Sequence, residues 1–210
     1  MAVTFASGAG LGRTMCPMTV TRDAIVDAAL ARAEQTSWEA VRLNDIATAL
    51  GATLNDIRTH FREKEEIVDA WFDRADIAML AHAGRPEESV LAPRERLEHA
   101  MLAWLDALST HRRVTRQMIL NKFEPGHLHY QMRGVLRVSR TVQWMREAAG
   151  REAKLPWRAI EETVLTGIYL MTFFYWMYDG SPGSTRTREF LRRRLDRAGR
   201  LAHAVPGLPV

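Results

Sequence analysis

The side chains with the most evident chemistry in this chain lie between residues 53 and 64. Asn55, Thr59 and His60 carry hydrogen-bonding groups of the kind that meet nucleic-acid base edges. Arg58 and Lys64 are cations suited to phosphate oxygens. Elsewhere the candidate groups stand alone. His127 and His129 could offer two metal ligands, but no carboxylate or cysteine follows at zinc-site spacing. Gly8, Gly10 and Gly12 imitate a phosphate loop, yet no strand precedes them and no Lys-Ser or Lys-Thr ends the stretch. Cys16 has no neighbour that would lower its pKa. No nucleophile meets a base in a recognisable local motif. The expectation is a protein that is not an enzyme and needs no metal or cofactor.

Residues 43–64 have the layout that would position those groups. Ile46, Ala47 and Leu50 share one apolar face of a helix. Gly51 follows, where a left-handed residue suits a helix end. Thr53 can cap a second helix by accepting a backbone N–H. Ile57 and Phe61, four apart, turn that helix's apolar side inward and leave Asn55, Arg58, Thr59 and His60 on or near the outside. A short helix held by a packed first one, polar side outward, is the geometry that enters a major groove. Lys64 opens the next helix, where its ammonium and the free N–H groups could share a phosphate.

These residues resemble the TetR family of one-component transcriptional regulators. The matching pattern is Ile46-Ala47, Leu50-Gly51, Thr53, Ile57, Phe61 and Lys64, preceded by an amphipathic helix, and it covers roughly residues 20–70. The chain has Arg58 where the family usually has Tyr, and Arg42 where it has Ser or Thr. Asp56 adds an acid to the reading helix, where phosphates would repel it. The resemblance implies a dimeric, double-stranded DNA-binding regulator, a repressor released by a small apolar effector. It adds Arg22, at the start of the first helix, as a phosphate contact. The implied DNA-binding set is Arg22, Arg42, Thr53, Asn55, Arg58, Thr59, His60 and Lys64.

The rest of the chain reads as helices. Thr21 caps the first, whose stripe is Ile25, Ala28, Ala29 and Ala33. Ile67, Trp71, Ile77 and Leu80 continue an apolar face towards residue 82. Residues 84–89 read as a loop. Leu97, Met101, Trp104, Leu105 and Leu108 mark another helix, and Met118, Ile119 and Phe123 the next, broken at Glu124-Pro125-Gly126. Leu128, Met132, Val135, Val138, Val142 and Met145 share a face up to Gly150. Residues 164–178 contain no charge, yet a bilayer span needs about 20 apolar residues. This stretch is expected in the core or at a subunit interface. Its Tyr169, Phe173, Phe174, Trp176 and Tyr178 could line a pocket for an apolar ligand; simple core packing is the competing reading. The implied ligand set is Trp104, Met118, Trp144, Tyr169, Phe173 and Trp176. The last helix crowds Arg186, Arg188, Arg192, Arg193, Arg194, Arg197 and Arg200 around an apolar face of Phe190, Leu191, Leu195, Ala198 and Leu201. It can lie on an anionic membrane or pack on a neighbouring helix, and packing is favoured. Glu189 is expected to pair with Arg193, and Asp196 with Arg192 or Arg200.

Residues 160–200 carry a second resemblance, to ubiquinone-biosynthesis accessory proteins that share the TetR fold and bind isoprenoid lipids. The shared features are Trp176 with Asp179, Ser181-Pro182, and Phe190-Leu191 before Arg193-Arg194. The alternative it implies is a lipid-binding accessory protein of quinone biosynthesis.

The chain has 210 residues, 47% hydrophobic and 26% charged, with a net charge of +4. It is expected to be all-α. A helix-turn-helix domain of three helices spans 20–66, and a larger helical ligand-binding and dimerisation domain spans 67–204. Tails are expected at 1–19 and 205–210. A single cysteine excludes an intramolecular disulfide, and a reducing, cytoplasmic setting follows most simply. The homodimer is expected to form through the C-terminal helices, with no transmembrane segment.

Overall fold

Thr21 starts the first helix as its position predicts: its hydroxyl accepts the N–H of Ala24 at 3.1 Å. The computed structural model describes residues 20–121 and 128–204, the side chains of 128–135 and 203–204 excepted. The expected tails at 1–19 and 205–210, with Cys16 and the glycine-rich loop, lie outside the described residues. So do Phe123, the break at Glu124-Pro125-Gly126 and His127, together with the side chains of Leu128, His129, Met132 and Val135.

The described residues form nine α-helices and no strand. These are α1 (Arg22–Gln35), α2 (Leu43–Ala49), α3 (Leu54–His60), α4 (Lys64–Ala83), α5 (Pro93–Leu108), α6 (Arg112–Asn121), α7 (Leu128–Ala148), α8 (Trp157–Met177) and α9 (Thr185–Ala204). Short 3-10 turns at Pro86–Val90, Ser109–His111 and Pro182–Ser184 join some of them. Ile25, Ala29 and Ala33 of α1 meet Ile46 and Ala47 of α2, Ile57 of α3, and Trp38, Val41 and Phe61 in one buried cluster. The cluster continues along α4, which packs lengthwise on α5.

One expectation about a helix face is corrected here. Ile77 is 66% exposed. The face of α4 that packs is Ile67, Val68, Trp71, Phe72, Ala75 and Met79, and Asp76 rather than Ile77 turns inward. Asp76 is tolerated there because it is fully partnered. Trp104 Nε1 donates to it at 2.7 Å, Thr141 Oγ1 at 3.1 Å and Arg137 Nη2 at 3.2 Å. This polar knot ties α4, α5 and α7 inside an apolar surround, where an unpaired charge would be costly. Burial pushes the Asp76 carboxyl above the ordinary carboxylate range, against the pull of Arg137.

Helix α8, expected in the core or at a subunit interface, divides its apolar residues between two faces. Ile160, Val164, Met171, Phe174, Tyr175 and Tyr178 are each at least 39% exposed. They recur at helical spacing and form one apolar stripe, while Leu165, Ile168, Tyr169, Phe173 and Trp176 face the core. The turn into α9 is held from two sides. Asp179 accepts the N–H of Ser181 at 2.9 Å, the N–H of Thr187 at 2.9 Å and the Thr187 hydroxyl at 2.6 Å. From α6, Arg112 donates to the Asp179 carbonyl and to Ser184 Oγ, with its guanidinium 4.6 Å from the Trp176 ring centre.

Helix α9 packs on α8 and α5 with Leu191 and Leu195 buried. Glu189 pairs with Arg193 at 2.5 Å as expected. Asp196 does not pair within its own helix; it meets Arg94 of α5 at 2.6 Å. Arg188 likewise reaches Asp106 of α5 at 2.6 Å. Among the described residues no helix is long and apolar enough to cross a membrane.

Candidate nucleic-acid interface

Helix α2 ends in a left-handed residue, Gly51, at φ +62°. The Ala52 N–H returns to the Ala47 carbonyl at 2.9 Å, which closes the helix end and reverses the chain. Thr53 then caps α3 within a reciprocal box. Its hydroxyl accepts the Asp56 N–H at 3.2 Å, while Asp56 Oδ2 takes the Thr53 N–H and hydroxyl, both at 2.8 Å. Asp56 therefore serves the helix end rather than facing phosphates as a loose charge. The hydrogen bonds from the Thr53 backbone and side chain hold its carboxyl below the ordinary range.

The outer face of α3 carries Asn55, Arg58 and Thr59, all exposed. The Thr59 hydroxyl donates to the Asp56 carbonyl at 2.7 Å. His60 departs from expectation. It is half-buried, with Nε2 2.9 Å from the Val20 carbonyl, so it ties α3 to the entry of α1 instead of pointing out.

Arg22 lies across this joint. Its guanidinium sits 4.5 Å from the Phe61 ring centre, and Nη1 donates to the His60 carbonyl at 3.4 Å. That carbonyl is at the negative end of α3, which offsets a cation's poor position in the first turn of α1. Arg42 is exposed at the N-terminal end of α2. Lys64 is more enclosed than a simple phosphate ligand. Its ammonium donates to the Trp38 carbonyl at 2.5 Å and the Glu39 carbonyl at 3.2 Å, 4.7 Å from the Trp38 ring centre. Burial pushes its pKa below the usual lysine value.

Residues 20–66 hold six Arg and Lys against nine Asp and Glu, so bulk charge does not make this surface basic. The acids are largely engaged elsewhere. Asp23 and Asp27 bind Arg74 of α4 at 2.9 and 2.5 Å, Glu34 binds Arg113 of α6 at 2.9 Å, and Glu66 takes the Arg62 N–H at 2.7 Å. What remains on the α3 side is a small outward set of cations and amides.

The C-terminal aromatics form a packed cluster. Trp104 stacks on Phe72 at 5.8 Å and meets Tyr169 and Phe173 edge-on at 5.2 and 5.4 Å; Phe173 stacks on Trp176 at 5.8 Å. Burial pushes the Tyr169 hydroxyl well above the usual tyrosine value. A separate apolar cavity of about 260 Å³ opens between α5, α8 and α9, lined by Leu97, Trp157, Leu165, Leu195, Ala198 and their neighbours. Arg94, Arg151 and Glu161 are its charged residues.

The fold and the sequence both have relatives. A TetR transcriptional regulator from Nitrosomonas europaea ATCC 19718 matches with TM-score 0.77 and 54% identity, over 85% of this chain and 97% of that one. This chain belongs to the TetR family of transcriptional regulators. A TetR regulator from Rhodococcus sp. RHA1 matches at TM-score 0.63 and 18% identity, over 84% of this chain and 94% of that one. One from Streptomyces coelicolor does so at 0.63 and 16%, over 89% and 84%; these two share the fold. The family model described as COQ9 matches residues 162–202. No curated protein matches the chain.

Of the residues expected to meet DNA, Asn55, Arg58 and Thr59 share the exposed side of α3, Arg42 is exposed at the start of α2, and His60 and Lys64 are turned inward. The ligand-side residues converge less well. Trp104, Met118, Tyr169, Phe173 and Trp176 are all buried, but none lines the cavity. Trp144, expected in the ligand set, is 46% exposed on α7 and does not line the cavity either. The residues that do line the cavity were missed because Leu, Ala and Gly on α9 look like ordinary packing positions. Their signal is the apolar face of α9 running past Leu195 to Leu201, farther than the helix has partners to cover it. The features that carry the COQ9-like pattern have structural duties: Trp176 fills the core and Asp179 holds the turn.

Proposed function

We propose that this TetR-family chain is a dimeric DNA-binding repressor that leaves its operator when a small apolar molecule binds. The observation that carries it is the α2–turn–α3 unit, capped at both sides of the turn, with Asn55, Arg58 and Thr59 on the outer face of α3. In this reading Asn55 and Thr59 meet base edges. Arg22, Arg42 and Arg58 hold phosphates, with Lys64 and the start of α4 bracing the same backbone. Thr53 and His60 position the reading helix. Residues 20–66 form the DNA-binding domain and 67–204 the effector-binding and dimerisation domain.

The exposed apolar stripe of α8 supports a dimer, since a monomer rarely leaves such a surface open. Pairing of two α8–α9 units would put the two α3 helices about one DNA turn apart, roughly 34 to 36 Å. The route from effector to DNA runs through α6. It binds the end of α1 through Arg113 and Glu34, and Gln117 accepts the Trp38 N–H at 2.8 Å. Release requires the effector to prefer the spacing that DNA does not. The test is gel-shift or anisotropy binding to duplex DNA at low salt. Wild type binds; Arg58→Ala combined with Arg42→Ala binds more weakly. Equal binding by both would overturn these roles.

The COQ9 match at residues 162–202 takes in part of the cavity lining, Leu165, Leu195 and Ala198 among it, and the two support a second reading, a lipid-binding accessory protein of quinone biosynthesis. Solvent extraction of the purified protein separates the two. A recovered isoprenoid, with no DNA affinity at low salt, favours the second.

A further inference from the structure

Glu88 lies in the 3-10 turn Pro86–Val90, in a stretch whose sequence reads as a loop, and it is only 4% exposed. Its carboxylate is caught between two imidazoles. His82, in the last turn of α4, places Nε2 3.2 Å from Oε1. His99, on α5, places Nδ1 2.9 Å from Oε1 and 3.2 Å from Oε2. The rings stand edge to face with centres 6.0 Å apart. The three donor atoms all lie within 4.8 Å of one another.

We propose that His82, Glu88 and His99 form a divalent transition-metal site, with zinc as its natural occupant. Two imidazoles and a carboxylate are a familiar three-ligand set for such an ion, which keeps a fourth position for water. Ligand atoms about 2.1 Å from a tetrahedral zinc stand about 3.4 Å from each other. Each imidazole donor is within about half an ångström of that distance from the Glu88 carboxylate, and all three donors lie within 4.8 Å of one another, so side-chain rotations suffice to close them on an ion. The histidine side chains are 27% and 44% exposed, which leaves a path from solvent. Calcium and magnesium prefer all-oxygen shells and do not suit this set. An occupied site would staple the end of α4 to α5. Because α4 begins beside the reading helix, the ion would stiffen the member that joins the DNA-facing end to the rest. The site stands whether or not the chain binds DNA.

The test uses the full chain stripped with a chelator, then titrated with zinc chloride against a chromophoric competitor, with thermal unfolding followed in parallel. The expected result is one zinc per chain and a Tm several degrees higher, with no response to magnesium. His82→Gln and His99→Gln should each weaken zinc binding by more than the ten- to hundredfold typical of losing an outer-shell partner. His127→Gln with His129→Gln should leave it unchanged, which excludes that pair as the source. Glu88→Gln perturbs a buried group and can fail to fold; the two histidine variants, being partly exposed, keep the test decisive. No zinc bound at micromolar concentration, or wild-type affinity in His82→Gln and His99→Gln, would overturn the proposal.

Discussion

At the scale of single residues, the reading helix depends on its cap. Removing the Thr53 hydroxyl leaves the Asp56 N–H unpaired at the start of a seven-residue helix. Thr53→Ala should cost about 1 kcal/mol of stability, read by urea denaturation; a cost near zero would mean that Asp56 alone organises the end. Asp179 makes a pH prediction. Burial works against its charge, but the hydrogen bonds from Ser181 and Thr187 win and hold its carboxyl well below the ordinary carboxylate range. The unfolded chain protonates it near the usual aspartate value of about 3.9. Its contribution is therefore present above that value and lost as pH falls through the folded one. Stability should decline below about pH 4. Asp179→Asn should cost about 2 kcal/mol at neutral pH and flatten that acid decline, as read by denaturation series at neutral pH and below about pH 4. An unchanged acid slope in the variant would remove Asp179 as its source.

At the scale of elements, the helices were legible because their evidence is local. Apolar spacing, Thr21, Thr53, Gly51 and Gly150 all act within a turn or two of where they stand, and the helix bounds follow. What was not legible depends on contacts made across the fold. Ile77 looked like part of a stripe, but Phe72 and Asp76 take the inward positions because Trp104, Thr141 and Arg137 arrive from other helices. Asp196 had two arginines within reach in its own helix and instead meets Arg94. The outward side of α3 was readable from Ile57 and Phe61, whereas His60 turns to a carbonyl forty residues away in sequence. Residues 82, 88 and 99 come together only once α4 packs on α5. The stripe on α8 bears its own prediction. A charge in its middle, as in Met171→Glu or Met171→Arg, should convert a dimer to a monomer with little loss of monomer stability, since Met171 is 43% exposed. Light scattering after gel filtration reads this; a dimer of wild-type strength in both variants would put the interface elsewhere.

At the scale of the whole molecule, a TetR-family fold carries a DNA-facing end whose overall charge is not basic. Binding must then come from a few placed cations rather than from a general field. With the proposed phosphate roles of Arg22, Arg42 and Arg58, a dimer would make six arginine–phosphate contacts. Counterion release by six phosphate contacts corresponds to a log–log salt slope of about −5. Arg58→Ala removes two of them and should make the slope shallower by about 2. The most direct measurement is the affinity of the purified dimer for duplex DNA across a series of salt concentrations, beside Arg58→Ala. A slope near −5 that becomes shallower in the variant is the expected result. No binding at the lowest salt, or a slope that Arg58→Ala leaves unchanged, would contradict the assignment of α3 as a DNA-reading helix.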